Sequence, residues 1–378
     1  AWMTLWSWES IRHGAKGLLY WQFRKERQGS ELGAYGLTDY GGEPTANAQA
    51  VAAVGRVLNR YADEFLAATP EPAQVAILFS YQSYMVDWAE HRHCQMSIAA
   101  LSGYYHILWR RSIPVDVIHE ERVTVEALAR YRLLILPAPV TLPAGAARAL
   151  AEYVRNGGHV LSDPYLCALT PDKELDTRVP GRGLDRLFGG HEDDIRRAEK
   201  DVGLMLPDGR SGAVHGSHLR VTWAPSAHAE VVAAYADGRP AVLGRRVGAG
   251  RAVISGVNLG MGWAPDASLG DDLRLTAAAG GGNLAAEIVL DLASDAGVRA
   301  PVCAPEGVVA GLLNLPGGRA VLIALNLTPA SIAGRIELQH RSFATATRLD
   351  GAAEEVAPAA AGVALDVPPL GSAVFLLR

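Results

Sequence analysis

The spacing of hydrophobic and polar positions divides the chain into three stretches with different periods. In the first, Trp6, Trp8, Ile11 and Ala15 suit the buried face of a helix ending at Gly14 or Gly17. Gly17 to Phe23 is an unbroken apolar run of strand length, which predicts a parallel strand buried on both faces. A charged, glycine-rich loop follows, from Arg24 to Pro44. Thr45 then reads as an N-cap for a helix over Ala46 to Phe65, with an apolar stripe at Ala50, Val54, Val57, Leu58, Tyr61 and Phe65.

Thr69-Pro70-Glu71-Pro72 carries a linker signal. Beyond it, strand-like runs alternate with helical ones. Strands are expected at 75–80, 115–119, 131–139 and 158–163, and helices at 94–111 and 144–156. Such alternation predicts a parallel sheet covered by helices on both faces, flavodoxin-like or amidotransferase-like in layout. Trp88, His91 and His93 fall in an expected loop, and 165–215 reads as polar and loop-rich. The stretch 240–260 reads as two strands joined by a Gly-rich turn, and 283–297 as a closing helix. From about Val302 the pattern becomes short alternating runs without a helix signal, as in a small antiparallel β domain.

Length allows two or three domains. The net charge of −5 gives no electrostatic case for nucleic acid or an anionic membrane, and no apolar run approaches membrane-spanning length. The three cysteines Cys94, Cys167 and Cys303 are far apart, with no C-x-x-C pair, and read as separate thiols in a reducing, cytoplasmic compartment. His91, His93 and Cys94 lie within four residues, but no second cluster stands at useful spacing, so no metal or other cofactor is expected. GRRVGAGR (244–251) runs on into a strand, not a helix, and reads as a hairpin turn rather than a phosphate loop.

The string HGAKGLLYWQFRKERQGSE, followed by YGLTDYGGEPT, resembles the end of the catalytic barrel of glycoside hydrolase family 42, the β-galactosidases. The resemblance is strong over Leu5 to Pro44 and looser beyond, where the order of parts also fits. It implies the C-terminal end of a TIM barrel over 1–68, an α/β trimerisation domain over 69–300, and a small antiparallel β-sandwich over 301–378. It implies a retaining hydrolase of terminal β-galactosides, a homotrimer, and a barrel whose earlier strands lie ahead of Ala1.

Glu31 is then the loop carboxylate expected to grip neighbouring sugar hydroxyls. Trp21 is the strand-end aromatic expected to stack on the ring, and Arg24 is the third expected substrate contact. Where many members of the family have a histidine three residues after that glutamate, this chain has Ala34. Glu9 lies within a helix and is set aside as a catalytic acid. The two carboxyls of a retaining mechanism, ~5 Å apart, are expected upstream of Ala1. The doublets Glu120-Glu121 and Asp193-Asp194 read as solvated charge. Two other functions compete: a non-catalytic oligomerisation module, and a hydrolase using Cys167 with His159 or His191.

Overall fold

A computed structural model describes residues 2–170, 172–198, 201–214, 219–263, 284–351, 356–359 and 362–378. The N-terminal part has helices α1 (Trp2–Arg12), α2 (Ala46–Arg60) and α3 (Ala62–Ala67), then a short strand β1 (Thr69–Pro70). The middle part opens with β2 (Val75–Phe79), α4 (Tyr81–His91), α5 (Gln95–Trp109) and β3 (Val115–His119). It continues with α6 (Val125–Leu128), β4 (Leu133–Leu136), α7 (Ala146–Arg155), β5 (His159–Ser162) and α8 (Asp185–Phe188). Seven strands follow: β6 (Gly190–Arg197), β7 (Val202–Met205), β8 (Ser211–Val214), β9 (Leu219–Pro225), β10 (Glu230–Tyr235), β11 (Pro240–Val247) and β12 (Gly250–Ser255). Helix α9 (Leu284–Asp295) ends this part. The last part has β13 (Val302–Cys303), β14 (Val308–Asn314), β15 (Ala320–Asn326), β16 (Ile332–Leu338), β17 (Thr345–Arg348), β18 (Val356–Pro358), β19 (Val363–Val367) and β20 (Ser372–Leu377).

The middle part is built on one sheet in the order β3-β2-β4-β5-β12-β11-β10-β7-β8. Its first five strands are mutually parallel. Both faces are covered, so β2 needs apolar residues at every position. Val75 and Ile77 join the core with α5 and α9, while Ala76 and Leu78 join the core with α6 and α7. β11 and β12 form the expected hairpin, Val247 opposite Gly250.

The C-terminal part is a sandwich of a six-stranded sheet, β1-β14-β15-β20-β17-β18, and a three-stranded sheet, β13-β16-β19. Alternation along β15 sends Leu322 and Ala324 into the core between these sheets, and Val321, Ile323 and Leu325 to the outer face. That outer face is where α1, α2 and α3 dock, through Leu5, Trp8, Ile11, Val54 and Phe65, together with Trp109 from α5.

Several expectations are corrected. Gly17–Phe23 is not a strand, and it is largely exposed: Leu19 is 93% exposed, Trp21 71% and Phe23 72%. An apolar run becomes a buried strand only with strands on either side, and among the described residues none flanks this one; only the adjoining Arg24 makes an isolated bridge, with Thr38. Trp6 is 48% exposed, and Leu5 takes its place on the buried face of α1. The helix after Thr45 breaks at Tyr61, where φ and ψ are −116° and 37°. Thr45 occupies the N-cap position without a side-chain cap; its Oγ1 donates to the Leu37 carbonyl instead (2.6 Å).

The expected linker is also structured, with Thr69 and Pro70 pairing with Asn314 and Leu313 as an edge strand of the C-terminal sheet. Residues 81–91 are a helix, not a loop. The stretch 165–215 carries α8 and three strands. Glu120 is buried, accepting a hydrogen bond from Ser80 Oγ at 2.5 Å, so it is not solvated charge. The described helices include none long and apolar enough to cross a membrane.

Candidate sugar-binding rim

The loop from Arg24 to Pro44 folds back on the segment before it. Gln22 N–H donates to the Tyr35 carbonyl (3.0 Å), Leu37 N–H to Gln22 (2.9 Å) and Thr38 N–H to Phe23 (2.8 Å). Gly36 lies where this doubling is tightest: a Cβ there would sit 2.6 Å from both the Lys25 nitrogen and the Thr38 oxygen. At the far end, Asp39 Oδ1 accepts from Gly42 N–H and Glu43 N–H, both at 2.8 Å, and so pins the end of the loop.

This folding brings Trp21 and Glu31 together. The indole Nε1–H donates to Glu31 Oε2 at 3.1 Å, and both side chains are exposed. The Trp21–Gln22 peptide is cis. Arg24 goes elsewhere. Its Nε donates to the Tyr40 carbonyl at 3.0 Å, so the guanidinium braces the loop instead of joining Glu31. Ala34 sits one turn on from Glu31, its N–H bonded to the Glu31 carbonyl (3.0 Å), and brings no ring nitrogen to the rim.

Trp21 also borders a cleft of about 900 Å³ walled by Trp2, Trp6, Glu9, His13, Tyr20, Tyr105 and Trp109. Tyr20 packs on Trp6 with ring centroids 5.6 Å apart, and its hydroxyl lies 2.8 Å from Ser7 Oγ. The sequence did not single out this wall, because its residues come from α1, the exposed segment and α5, nearly a hundred positions apart.

At the base of the cleft Glu9 is fully engaged. It accepts from Arg12 Nε (2.7 Å), Arg12 Nη2 (2.6 Å) and Trp109 Nε1 (2.6 Å), and His13 Nε2 lies 2.9 Å away. Burial pushes its carboxyl up, but the Arg12 and His13 contacts outweigh it and hold Glu9 well below the usual carboxylate range. A carboxylate held ionised by such partners is poorly suited to act as a general acid.

The remaining candidates are accounted for by packing. His91 stacks on His93 with centroids 5.8 Å apart, and its Nδ1 lies 3.0 Å from Asp87. Cys94 Sγ donates to the Tyr84 carbonyl at 3.6 Å. Among the described residues no group of three metal-ligating side chains comes together. Cys167 is fully buried, and burial pushes its thiol up to about 12, the opposite of what an attacking thiolate needs.

Along the chain an N-terminal helical part with its exposed Trp21–Glu31 pair, an α/β layer and a β-sandwich thus follow one another. Over 99% of its length this chain superposes on the β-galactosidase of Bacillus circulans sp. alkalophilus, with a TM-score of 0.78 and 19% identity, covering 51% of that protein. The family model of the β-galactosidase trimerisation domain matches residues 73–268, and the β-galactosidase model matches residues 2–61. The chain belongs to glycoside hydrolase family 42. Among curated relatives, it is 28% identical over 272 residues to β-galactosidase LacZ of Heyndrickxia coagulans, which spans 67% of this chain and 38% of that protein. It is 29% identical over 329 residues to β-galactosidase Bga of Halorubrum lacusprofundi, spanning 82% of this chain and 42% of that one. The chain thus covers about two fifths of the length of these curated relatives.

Proposed function

We propose that this chain is the sugar-rim and assembly portion of a retaining β-galactosidase that hydrolyses terminal β-galactosides. Trp21 stacks on the galactose face, and Glu31 accepts hydrogen bonds from two neighbouring hydroxyls. The hydrogen bond between Trp21 Nε1 and Glu31 Oε2 carries this reading, since it sets an aromatic plane and a carboxylate side by side on an open surface. Arg24 acts indirectly, by fixing the loop that presents Glu31.

Retaining chemistry needs one carboxylic acid to protonate the glycosidic oxygen and a second carboxylate to form the glycosyl-enzyme, ~5 Å apart. In this reading both come from barrel strands outside the 378 residues, seated against the exposed face of Trp2, Trp6, Leu19, Trp21 and Phe23. Apolar exposure on that scale is unusual for a finished surface. The chemistry calls for no metal or organic cofactor.

The remaining parts divide as barrel end 1–68, trimerisation domain 69–300 and β domain 301–378, with Thr69–Pro70 leaning on the last of these. The assembled protein is a homotrimer, a reading supported by the match over 73–268. Three unpaired cysteines suit the cytoplasm. One observation favours the alternative of a non-catalytic oligomerisation module: Ala34 leaves the rim without an imidazole donor. An assay of the purified chain on a chromogenic β-galactoside tests the division of labour. No turnover above the uncatalysed rate is expected, and turnover by the chain alone would contradict it.

A further inference from the structure

Glu31 stands on an exposed loop outside any helix or strand, yet a carboxylate that reads a pair of hydroxyls must be held to within about 0.5 Å. Its side chain is met by Trp21 at Oε2. The turn that carries it rests against Tyr40. In that turn Ala34 N–H donates to the Glu31 carbonyl and Gly33 N–H to the Glu26 carbonyl, both at 3.0 Å. Gly33 lies in the left-handed region, with φ +78°, and a Cβ on it would sit 2.6 Å from Tyr40 Oη. The ring carbon that bears this oxygen is 3.8 Å from the same point, so the phenol oxygen makes the closest approach.

Tyr40 is itself fixed from three sides. Its carbonyl accepts from Arg24 Nε at 3.0 Å. Its ring faces the Lys25 ammonium, 5.7 Å from the centroid. The Asp39 N–H just before it donates to the Glu43 carbonyl at 2.9 Å. Tyr40 is 49% exposed, so it does not serve as a core residue, and its contacts join the start of the loop to the turn that bears the carboxylate. We propose that Tyr40 is a positioning residue for Glu31. Its phenol oxygen is the seat of the Glu31–Ala34 turn, and glycine at 33 lets the two meet. Tyr40 acts through the carboxylate and not on the sugar. This rests on the sugar-rim reading above and adds to it the residue that sets where Glu31 stands.

Steady-state hydrolysis of a chromogenic β-galactoside tests it, with the full chain combined with a barrel portion bearing the carboxylate pair. Tyr40→Phe and Tyr40→Ala should raise KM by about 3-fold and about 10-fold with kcat little changed, as the loosening of a binding contact does. In a Glu31→Gln background the same substitutions should have no further effect, because a residue that acts through a carboxylate has nothing to place once it is gone. Gly33→Ala should lower kcat/KM, and adding Tyr40→Phe should recover part of the loss by removing the oxygen that the new methyl strikes. An unchanged KM in Tyr40→Ala overturns the assignment and leaves the sugar-rim reading standing. Equal losses with and without Glu31 also overturn it, because the effect would then be on the loop at large. Undiminished hydrolysis by Glu31→Gln alone removes the sugar-rim reading and this assignment with it.

Discussion

Trp109 donates its indole N–H to the Glu9 carboxylate at 2.6 Å, joining α5 of the α/β layer to α1 across a hundred residues of sequence. Arg12, whose side chain is 9% exposed, depends on the same carboxylate for its charge partner. Glu9→Gln therefore strands a largely buried guanidinium, and a loss of about 2 kcal/mol is expected. Chemical denaturation measures it. Trp109→Phe in the same background should cost less than it does alone, since the two residues share one bond. Fully additive losses would show that α1 and α5 are held by packing and not by this contact.

The carboxyl of Asp163 is wholly buried where the parallel strands end, bonded to Tyr104 Oη (2.5 Å), Leu259 N–H (3.2 Å) and Ala138 N–H (3.3 Å). Burial pushes it up to about 7 against those three bonds, from an ordinary 3.8. Between those values the folded protein holds a proton that the unfolded chain has released. This group's contribution to stability therefore falls as pH rises from about 4 to about 7, and is flat above. The stability of wild type relative to Asp163→Asn should decline through that window, by at most about 1.4 kcal/mol per pH unit. Parallel curves for the two proteins would refute the assignment.

Thiol chemistry should sort the cysteines by burial. Cys303 is exposed, Cys94 half-buried and Cys167 buried. A neutral aromatic disulfide reagent should react with Cys303 first, Cys94 more slowly, and Cys167 only once the protein is unfolded. Rapid labelling of native Cys167 would revive a thiol-based activity for this layer.

Gly103 on α5 faces the backbone of the 256–263 stretch, and a Cβ there would lie 1.7 Å from the Gly260 carbonyl oxygen. Gly103→Ala must push helix and loop apart, at a cost of about 3 kcal/mol. Thermal denaturation checks it; an unchanged midpoint would mean that the contact is not tight in solution.

How much of this was legible in sequence depended on whether a pattern carried its own cause. Val75 to Phe79 is apolar at every position because neighbours flank the strand on both sides, so the run revealed its burial. Gly17 to Phe23 looks the same and lies open, because periodicity describes what a segment can pack against and not whether the partner is there. Helix α4 was hidden by its inversion: Ser83 and Asp87 face inward, so the stretch carrying Trp88, His91 and His93 read as a loop. Asp194, Ile195 and Arg196 gave little strand signal, since among the described residues β6 pairs only with β9, in a two-stranded ribbon, and buries little. At the site, the pairing of Trp21 with Glu31 followed from the family pattern, whereas the brace from Arg24 to the Tyr40 carbonyl depends on the loop's own fold.

In the proposed function this chain supplies a galactose-gripping rim to a carboxylate pair carried by another part of the barrel. Hydrolysis of a chromogenic β-galactoside should be measured after this chain is combined with a barrel portion bearing that pair, comparing wild type with Glu31→Gln. The expected result is activity on combination and a fall of about 10- to 100-fold in kcat/KM for the variant, as for the loss of a charged hydrogen-bond acceptor. Undiminished activity in the Glu31→Gln protein would contradict the account.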